Sequence, residues 1–81
     1  MSTTASPRAI LVTGASSGIG RATVRTFSAA GWQVAATMRQ PEDGHDLASL
    51  AGVRVFPLDV TSTESVEAAV GMAHEAFGRL D

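Results

Sequence analysis

The 81-residue sequence predicts an α/β fold, a partial doubly wound parallel sheet with helices packed on it. Three observations lead to this prediction. Short apolar runs rich in β-branched residues recur along the chain, segments with helical spacing of apolar residues follow them, and glycines stand at the ends of several segments. Strands joined through helices pair in parallel by right-handed crossovers. The predicted order is therefore β-α-β-α-β-α, with a short and weak second helix.

The first half of the chain predicts one strand and one helix after a polar lead-in. Residues 1–8 are expected to be flexible, and the folded part occupies residues 9–81. Ala9–Thr13 is an apolar run that ends at Gly14, which is typical of a buried parallel strand. The following helix is predicted to end at Gly31, in a left-handed conformation. Its predicted inner face consists of Ile19, Ala22, Phe27 and Ala30.

The second half predicts two more strands and a longer helix. Trp32–Met38 and Val53–Leu58 are predicted strands, and residues 40–52 are predicted as a loop with a weak short helix. Thr61, followed three residues later by Glu64, forms a capping-box pattern at the start of the last helix. The apolar stripe of that helix consists of Val66, Ala69, Val70, Ala73 and Phe77, and the next glycine is predicted to end it.

Composition and charge exclude several classes of protein. Six arginines, no lysine and eight acidic residues give a net charge of −2, which offers no electrostatic reason to expect nucleic acid or an anionic membrane. The absence of cysteine excludes disulfides and thiolate metal sites. His45 and His74 lack partners at metal-ligand spacing and are expected to be exposed. No apolar run approaches the roughly 20 residues of a membrane span, so we expect a cytoplasmic protein.

The segment Leu11–Arg21, LVTGASSGIGR, contains two overlapping signatures. Residues 14–18 match G-x-S-x-G, the turn that presents a nucleophilic serine in hydrolases, here Ser16. Residues 13–20 match T-G-x-x-x-G-x-G, a glycine-rich loop of the kind that binds a dinucleotide pyrophosphate.

The hydrolase alternative has the chain order Ser16, Asp59, His74 in its favour. However, a hydrolase of this type needs an upstream loop, after an earlier strand, for half of its oxyanion hole. Only 15 residues precede Ser16, and most of them belong to the lead-in and the first strand. The hydrolase interpretation also gives no role to Gly20.

In the dinucleotide interpretation each glycine has a role. Gly14 permits the tight exit from the strand, Gly18 lets the backbone approach the pyrophosphate, and Gly20 lets the helix pack closely on the strand. The helix N-terminus then presents N–H groups and a partial positive charge to the phosphates. We therefore favour a dinucleotide site over a nucleophilic serine.

The same residues resemble the short-chain dehydrogenase/reductase family, which favours the T-G-x-x-x-G-x-G spacing. Met38-Arg39 at the end of the second strand, Leu58-Asp59-Val60-Thr61 after the third and the capped last helix are also similar to that family. The resemblance implies a Rossmann-like fold and an NAD(P)-dependent oxidoreductase acting on a small carbonyl or alcohol substrate. The cofactor-binding residues it implies are Gly14, Ser16, Ser17, Gly18, Ile19, Gly20, Arg39, Asp59 and Val60.

The sequence departs from the family in its catalytic residues. The family's reaction needs a Tyr-x-x-x-Lys pair, and these 81 residues contain neither tyrosine nor lysine. We therefore interpret residues 9–81 as the N-terminal, cofactor-binding part of such an enzyme and expect the chain alone to be inactive. A non-catalytic dinucleotide-binding module is the alternative. The family is often tetrameric, so a homo-oligomer is a further expectation.

The end of the second strand favours NADP over NAD. An acid about 20 residues past the glycine loop would bind the ribose 2′-hydroxyl of NAD, but Thr37-Met38-Arg39 contains none. The first acids, Glu42 and Asp43, lie beyond Pro41. The guanidinium of Arg39 suits a phosphate. The family's other mark of NADP, a basic residue before the second glycine, is absent because Ser17 stands there.

Other residues have structural interpretations. Arg21 and Arg25 are expected on a solvated helix face, and Asp59 has the alternative role of supporting a helix start. The aromatic residues Phe27, Trp32, Phe56 and Phe77 are predicted to belong to the core or an interface. The strand order 3-2-1 of the family would leave the first strand at an edge, so we expect the isolated chain to fold poorly or to self-associate.

Overall fold

The computed structural model describes residues 8–78 and Leu80. Strand β1 is Ala9–Val12, helix α1 is Gly18–Ala29, β2 is Gln33–Met38, β3 is Val53–Pro57 and α2 is Thr63–Phe77. Two short 3₁₀ helices, Pro41–Gly44 and Leu47–Ser49, connect β2 to β3. The predicted order of elements is confirmed. The predicted flexibility of residues 1–8 falls almost wholly outside the described residues.

The three strands form a parallel sheet in the order β1-β2-β3. Ala9 pairs with Gln33, and Val34 pairs with Val53. The central strand is buried from Val34 to Met38 without interruption, as expected for a strand with neighbours on both sides. This is the predicted order 3-2-1, with β1 at one edge of the described sheet.

A buried threonine ties the ends of β1 and β2 together. The Thr37 hydroxyl donates to the carbonyl of Val12 over 2.7 Å, and the Thr37 carbonyl accepts from the amide of Ala15 over 3.0 Å. Both polar groups of this fully buried residue are therefore satisfied. The contact fixes the start of the β1–α1 connection against the central strand.

The core is built from small aliphatic side chains and includes one from the β2–β3 connection. Leu47, on the second 3₁₀ helix, is fully buried with Val24 and Val34. Phe27 and Trp32 pack edge to face on this core, with ring centroids 4.9 Å apart. The segment predicted as a loop thus closes one side of the core.

The predicted inner face of α1 is correct at Phe27, which packs against the core, and wrong at Ile19, Ala22 and Ala30. Ile19 is 84% exposed, whereas Gly20 and Val24 are buried. Ala22 and Ala30 are exposed as well. The helix begins so close to the preceding turn that only a glycine fits between them, and a shift of one residue rotates the buried face by about 100°.

The start of α2 also differs from the prediction. Its N-cap is Ser62, whose hydroxyl accepts from the amide of Ser65 over 3.2 Å, and not Thr61. Thr61 binds the carboxylate of Asp59 instead, so no capping box with Glu64 forms. The helix ends at a glycine with φ +79°, as predicted.

The apolar stripe of α2 is only partly buried. Ala69 and Ala73 are fully buried, because their small side chains let the helix approach the sheet, while Val66 and Val70 stay 37% and 43% exposed. Met72, outside the predicted stripe, is 40% exposed. The buried face of α2 is therefore narrower than its apolar pattern.

Candidate functional site

The β1–α1 connection is a tight turn held by backbone and serine hydrogen bonds. Gly14 has φ +64°, a conformation that glycine adopts without strain. The Ser17 amide donates to the Gly14 carbonyl over 3.0 Å, and the Ser17 hydroxyl donates to the same carbonyl over 2.8 Å. The same hydroxyl accepts from the amide of Gly20 over 3.1 Å and so caps α1. The sequence did not predict this capping role of Ser17.

Gly20 and Gly18 differ in what surrounds them. A Cβ at Gly20 would lie 2.1 Å from the Gly14 carbonyl oxygen and 2.8 Å from the Ala15 Cα. Gly20 therefore permits the close packing of helix on turn that its place in the motif predicted. A Cβ at Gly18 would meet no atom within 4 Å. The space beside Gly18 is open to anything that approaches from outside the chain.

The N-terminus of α1 offers unpaired donors. Among the described residues, no acceptor is found for the amides of Gly18 and Ile19. The first turn of α1 contains no acidic residue. Free N–H groups together with the positive end of the helix dipole form a site for an anion.

A cleft of about 760 Å³ opens at the carboxyl ends of the three strands. It is lined by Gly14, Ser16, Met38, Arg39, Gln40, Asp43, Leu58 and Val60. Four of the predicted site residues, Gly14, Ser16, Arg39 and Val60, thus meet in one place. The other five, Ser17, Gly18, Ile19, Gly20 and Asp59, flank the cleft in the chain and do not line it.

Asp43 lines the cleft although the sequence placed it outside. The first 3₁₀ helix turns the chain back after Gln40, whose carbonyl accepts from the Asp43 amide over 2.9 Å. The signal was present in Pro41, because proline favours the first position of a helical turn. The far wall of the cleft therefore carries a cation, Arg39, and an anion, Asp43.

Asp59 has hydrogen-bond partners within its own connection. Its carboxylate accepts from the amide of Thr61 over 3.0 Å and from the Thr61 hydroxyl over 2.6 Å. These bonds, with a smaller contribution from the charge of Arg39, lower the pKa of Asp59 below its usual value. The Asp59 carboxylate therefore bonds within the connection that precedes α2, while the N-cap of that helix is Ser62. The predicted contact of Asp59 with a cofactor stays a prediction.

The two arginines of α1 are not simply solvated. Arg21 and Arg25 both contact the carboxylate of Asp46, and the Arg21 side chain is only 27% exposed. The expectation of a solvated position is therefore wrong for Arg21, whereas the Arg25 side chain is 60% exposed, as expected. Hydrogen bonding and charge from Arg21 lower the pKa of Asp46 below its usual value.

The structure offers no support for the hydrolase alternative. Within the described residues, the Ser16 hydroxyl makes no hydrogen bond to a histidine or an acid, and His74 is exposed on α2.

Residues 8–78 and Leu80 contain no group of three side chains that could hold a metal ion. Over the same residues, no helix is long and apolar enough to cross a membrane.

A parallel sheet, a glycine turn after its first strand and a free helix N-terminus at its carboxyl edge define a Rossmann-type dinucleotide-binding fold. The family model for short chain dehydrogenases matches residues 8–81. The chain therefore belongs to the short-chain dehydrogenase family, as its sequence motifs implied. Members of this family bind nicotinamide dinucleotides.

Individual relatives agree with this membership. The chain is 41% identical over 73 residues to 3-hydroxyacyl-CoA dehydrogenase type-2 of Drosophila melanogaster, a match that covers 88% of this chain and 29% of the relative. The chain spans about three tenths of the length of the curated relatives it matches.

Solved structures that are similar to this chain include one complex with NADH and one with NADP. The 3-ketoacyl-(acyl-carrier-protein) reductase of Brucella melitensis, complexed with NADH, is 27% identical with a TM-score of 0.86 and is matched over 94% of this chain and 32% of its own. A metagenomic short-chain oxidoreductase in complex with NADP is 27% identical with a TM-score of 0.83, over 98% of this chain and 38% of its own.

Proposed function

We propose that this chain supplies the dinucleotide-binding part of a cytoplasmic oxidoreductase that uses NADP in preference to NAD. The observation that carries the proposal is the open N-terminus of α1, with its unpaired amides at Gly18 and Ile19 and no acid in its first turn. The residues fit the cofactor, because a diphosphate needs donors and open backbone, and the cleft beside Gly14 offers both.

The proposed role of each wall follows from its chemistry. The amides of the glycine loop and the Ser16 hydroxyl would hold the pyrophosphate, and the guanidinium of Arg39 would bind the 2′-phosphate of NADP. Val60 and Leu58 present apolar surface to the adenine side of the cleft. When bound, the nicotinamide ring exchanges a hydride with a carbonyl or alcohol substrate.

Asp43 tempers the preference for NADP without reversing it. A carboxylate near a 2′-phosphate repels it, whereas the neighbouring guanidinium of Arg39 attracts it. Arg39 follows β2 directly, where a carboxylate would be needed to bind the ribose of NAD. The balance at this wall supports NADP as the favoured cofactor.

The experiment is a calorimetric titration of the protein with NADP⁺ and NAD⁺, repeated on Arg39→Ala. We expect the Arg39→Ala variant to lose about tenfold or more in affinity for NADP⁺ and little for NAD⁺. Arg54→Ala is the matched control, because Arg54 is an exposed arginine on β3 away from this cleft. Equal losses for the two dinucleotides would remove Arg39 from the role, and no binding of either would refute the proposal.

A non-catalytic dinucleotide-binding module is the second candidate. The module needs only the dinucleotide site, whereas the enzyme also needs the family's Tyr-x-x-x-Lys pair, which these 81 residues do not contain. The two candidates differ in turnover. Oxidation of NADPH by the complete protein in the presence of a small carbonyl compound would support the enzyme, and tight binding without turnover of any carbonyl substrate would support the module.

A further inference from the structure

One side chain connects the two walls of the cleft. The Arg21 Nε donates to the carbonyl of Ser16 over 3.2 Å, and its Nη2 donates to the carbonyl of Asp43. Ser16 belongs to the glycine loop and Asp43 to the first 3₁₀ helix, the two walls of the cleft that this side chain joins. The third donor, Nη1, binds the Asp46 carboxylate. We call these three contacts the Arg21 bridge.

The Arg21 bridge uses the particular chemistry of arginine. A planar guanidinium presents several N–H donors in fixed directions, so one side chain can hold three acceptors at a constant separation. Two of the acceptors are backbone carbonyls, whose positions follow the main chain. The bridge therefore restrains the main chain of both walls, which the turn hydrogen bonds of either wall alone do not do.

Arg25 shows that the charge of α1 and the bridge are separable. It lies one helical turn further along and contacts the same carboxylate of Asp46, with Nη2 and Oδ2 3.4 Å apart. Its side chain is 60% exposed, and among the described residues it makes no hydrogen bond to either wall of the cleft. Arg25 thus has the charge and neighbourhood of Arg21 without the contacts to the walls.

We propose that Arg21 is a positioning residue that holds the glycine loop and the wall formed by Arg39 to Asp43 at the separation required by a ligand that spans them. The proposal rests on the proposed function, because NADP is such a ligand. Its pyrophosphate would lie on the glycine loop and its 2′-phosphate at Arg39. Inorganic pyrophosphate, in contrast, would contact only the loop.

Holding two walls in place before binding lowers the cost of ordering them when a spanning ligand arrives. We therefore expect Arg21→Gln to lower the affinity for NADP⁺ about tenfold. The affinity for inorganic pyrophosphate should stay within about twofold of that of the unsubstituted protein. Arg25→Gln removes the same charge from the same helix and should leave both affinities within twofold. Arg25→Gln removes only an exposed ion pair and should leave the melting temperature nearly unchanged, whereas Arg21→Gln also loses two hydrogen bonds to backbone carbonyls and should melt at a somewhat lower temperature.

The affinities are measured by calorimetry for NADP⁺ and by ³¹P NMR for pyrophosphate. The amide spectrum provides a readout that needs no ligand, because release of the bridge should shift the resonances of residues 40–44 in Arg21→Gln and not in Arg25→Gln. Asp46→Asn is a second variant in case Arg21→Gln does not fold. It removes the charge from one of the three contacts and should weaken the binding of NADP⁺ by about threefold, with the affinity for pyrophosphate unchanged.

The outcomes distinguish failure of this inference from failure of the proposed function. Failure of the unsubstituted protein to bind NADP⁺ refutes both. Normal binding by the unsubstituted protein, with NADP⁺ affinity retained in Arg21→Gln, overturns the inference and leaves the proposed function intact. Equal losses of NADP⁺ and pyrophosphate would also overturn it, because the effect would then arise within the glycine loop. Equal losses in Arg21→Gln and Arg25→Gln would assign the effect to charge and overturn it as well.

Discussion

The molecule contains two strand-to-helix connections of the same length with opposite character. Residues 13–17 join β1 to α1 and residues 58–62 join β3 to α2, five residues in each case. Each ends in a serine N-cap, Ser17 or Ser62, whose hydroxyl accepts an amide three residues on. The two connections follow the carboxyl ends of parallel strands and so lie at the same end of the sheet.

The connections differ in whether the chain itself supplies a negative charge at the N-terminus of the following helix. The β3–α2 connection carries its own, with Asp59 bound to Thr61 and Glu64 in the first turn of the helix. The β1–α1 connection has no acid in the first turn of its helix and is made of glycine, alanine and serine from Gly14 to Ser17. A helix N-terminus becomes a binding site for an external anion when the chain does not supply one.

The largest expected effect comes from the one steric contact that only the β1–α1 connection has. In Gly20→Ala the added Cβ would overlap the carbonyl oxygen of Gly14 at 2.1 Å, and backbone cannot move aside cheaply. We expect a loss of about 3 kcal/mol in the free energy of unfolding, measured by chemical denaturation.

The matched control for Gly20→Ala is Gly71→Ala in α2. A Cβ at Gly71 meets nothing within 4 Å, so alanine should stabilise that helix by up to about 1 kcal/mol. Similar effects of the two substitutions would contradict the close packing of α1 on its turn.

An acidic substitution at the start of α1 would give the β1–α1 connection the negative charge that the β3–α2 connection already has. Gly18→Asp places a carboxylate at the first position of α1, where the Cβ has free space. We expect at least about a tenfold loss of affinity for NADP⁺ in calorimetric titrations, because the new anion occupies the positive end of the helix and repels the pyrophosphate.

Thr63→Asp is the corresponding substitution at the first position of α2. It should leave NADP⁺ binding unchanged and stabilise α2 slightly. If Thr63→Asp weakened binding as much as Gly18→Asp, the two helix N-termini would not differ in the way described.

A smaller difference is expected between the two caps. The Ser17 hydroxyl accepts from Gly20 and donates to Gly14, whereas within the described part of the chain the Ser62 hydroxyl is bound only as acceptor from Ser65. Ser17→Ala should therefore reduce the free energy of unfolding by about 2 kcal/mol and Ser62→Ala by about 1 kcal/mol. Thermal and urea unfolding of both variants test the ranking, and a larger loss in Ser62→Ala would reverse it.

The smallest effect is a pH dependence that arises at Asp59 in the β3–α2 connection. The pKa of Asp59 is lowered from its ordinary 3.8, so the ionised form is favoured in the folded state. Its contribution to stability is therefore complete above pH 3.8 and is lost as the pH falls through the folded pKa. The amide resonance of Thr61 should titrate with a midpoint below 3.8, and in Asp59→Asn that titration should disappear. A midpoint at or above 3.8 would contradict the hydrogen bonds of Asp59.

What could be predicted from sequence was local in the chain. The turn glycines, the three strands and the left-handed ends at Gly31 and Gly78 depend on residues within a few positions of one another. The buried face of α1 was predicted wrongly at Ile19, because an apolar pattern favours that residue. The contact that orients the helix is made by Gly20, which has no side chain and so does not contribute to an apolar pattern.

What could not be predicted depends on contacts between distant parts of the chain. Arg21 and Asp46 are 25 residues apart, and no local pattern pairs them. Asp43 reaches the cleft only because a 3₁₀ helix of four residues folds back over the end of β2. The wall formed by Arg39 to Asp43 therefore depends on tertiary structure, whereas the glycine loop can be recognised in the sequence.

The buried Thr37 has a consequence for the dynamics of the glycine loop. Its carbonyl holds the Ala15 amide, so that proton should exchange with solvent deuterium only in rare openings of the core. Three and four residues further on, the amides of Gly18 and Ile19 have no acceptor among the described residues. Their protons should exchange before the first time point of a hydrogen-exchange measurement. The loop is thus anchored at one end and kinetically open at the other, and slowed exchange at Gly18 and Ile19 alone would report an arriving ligand.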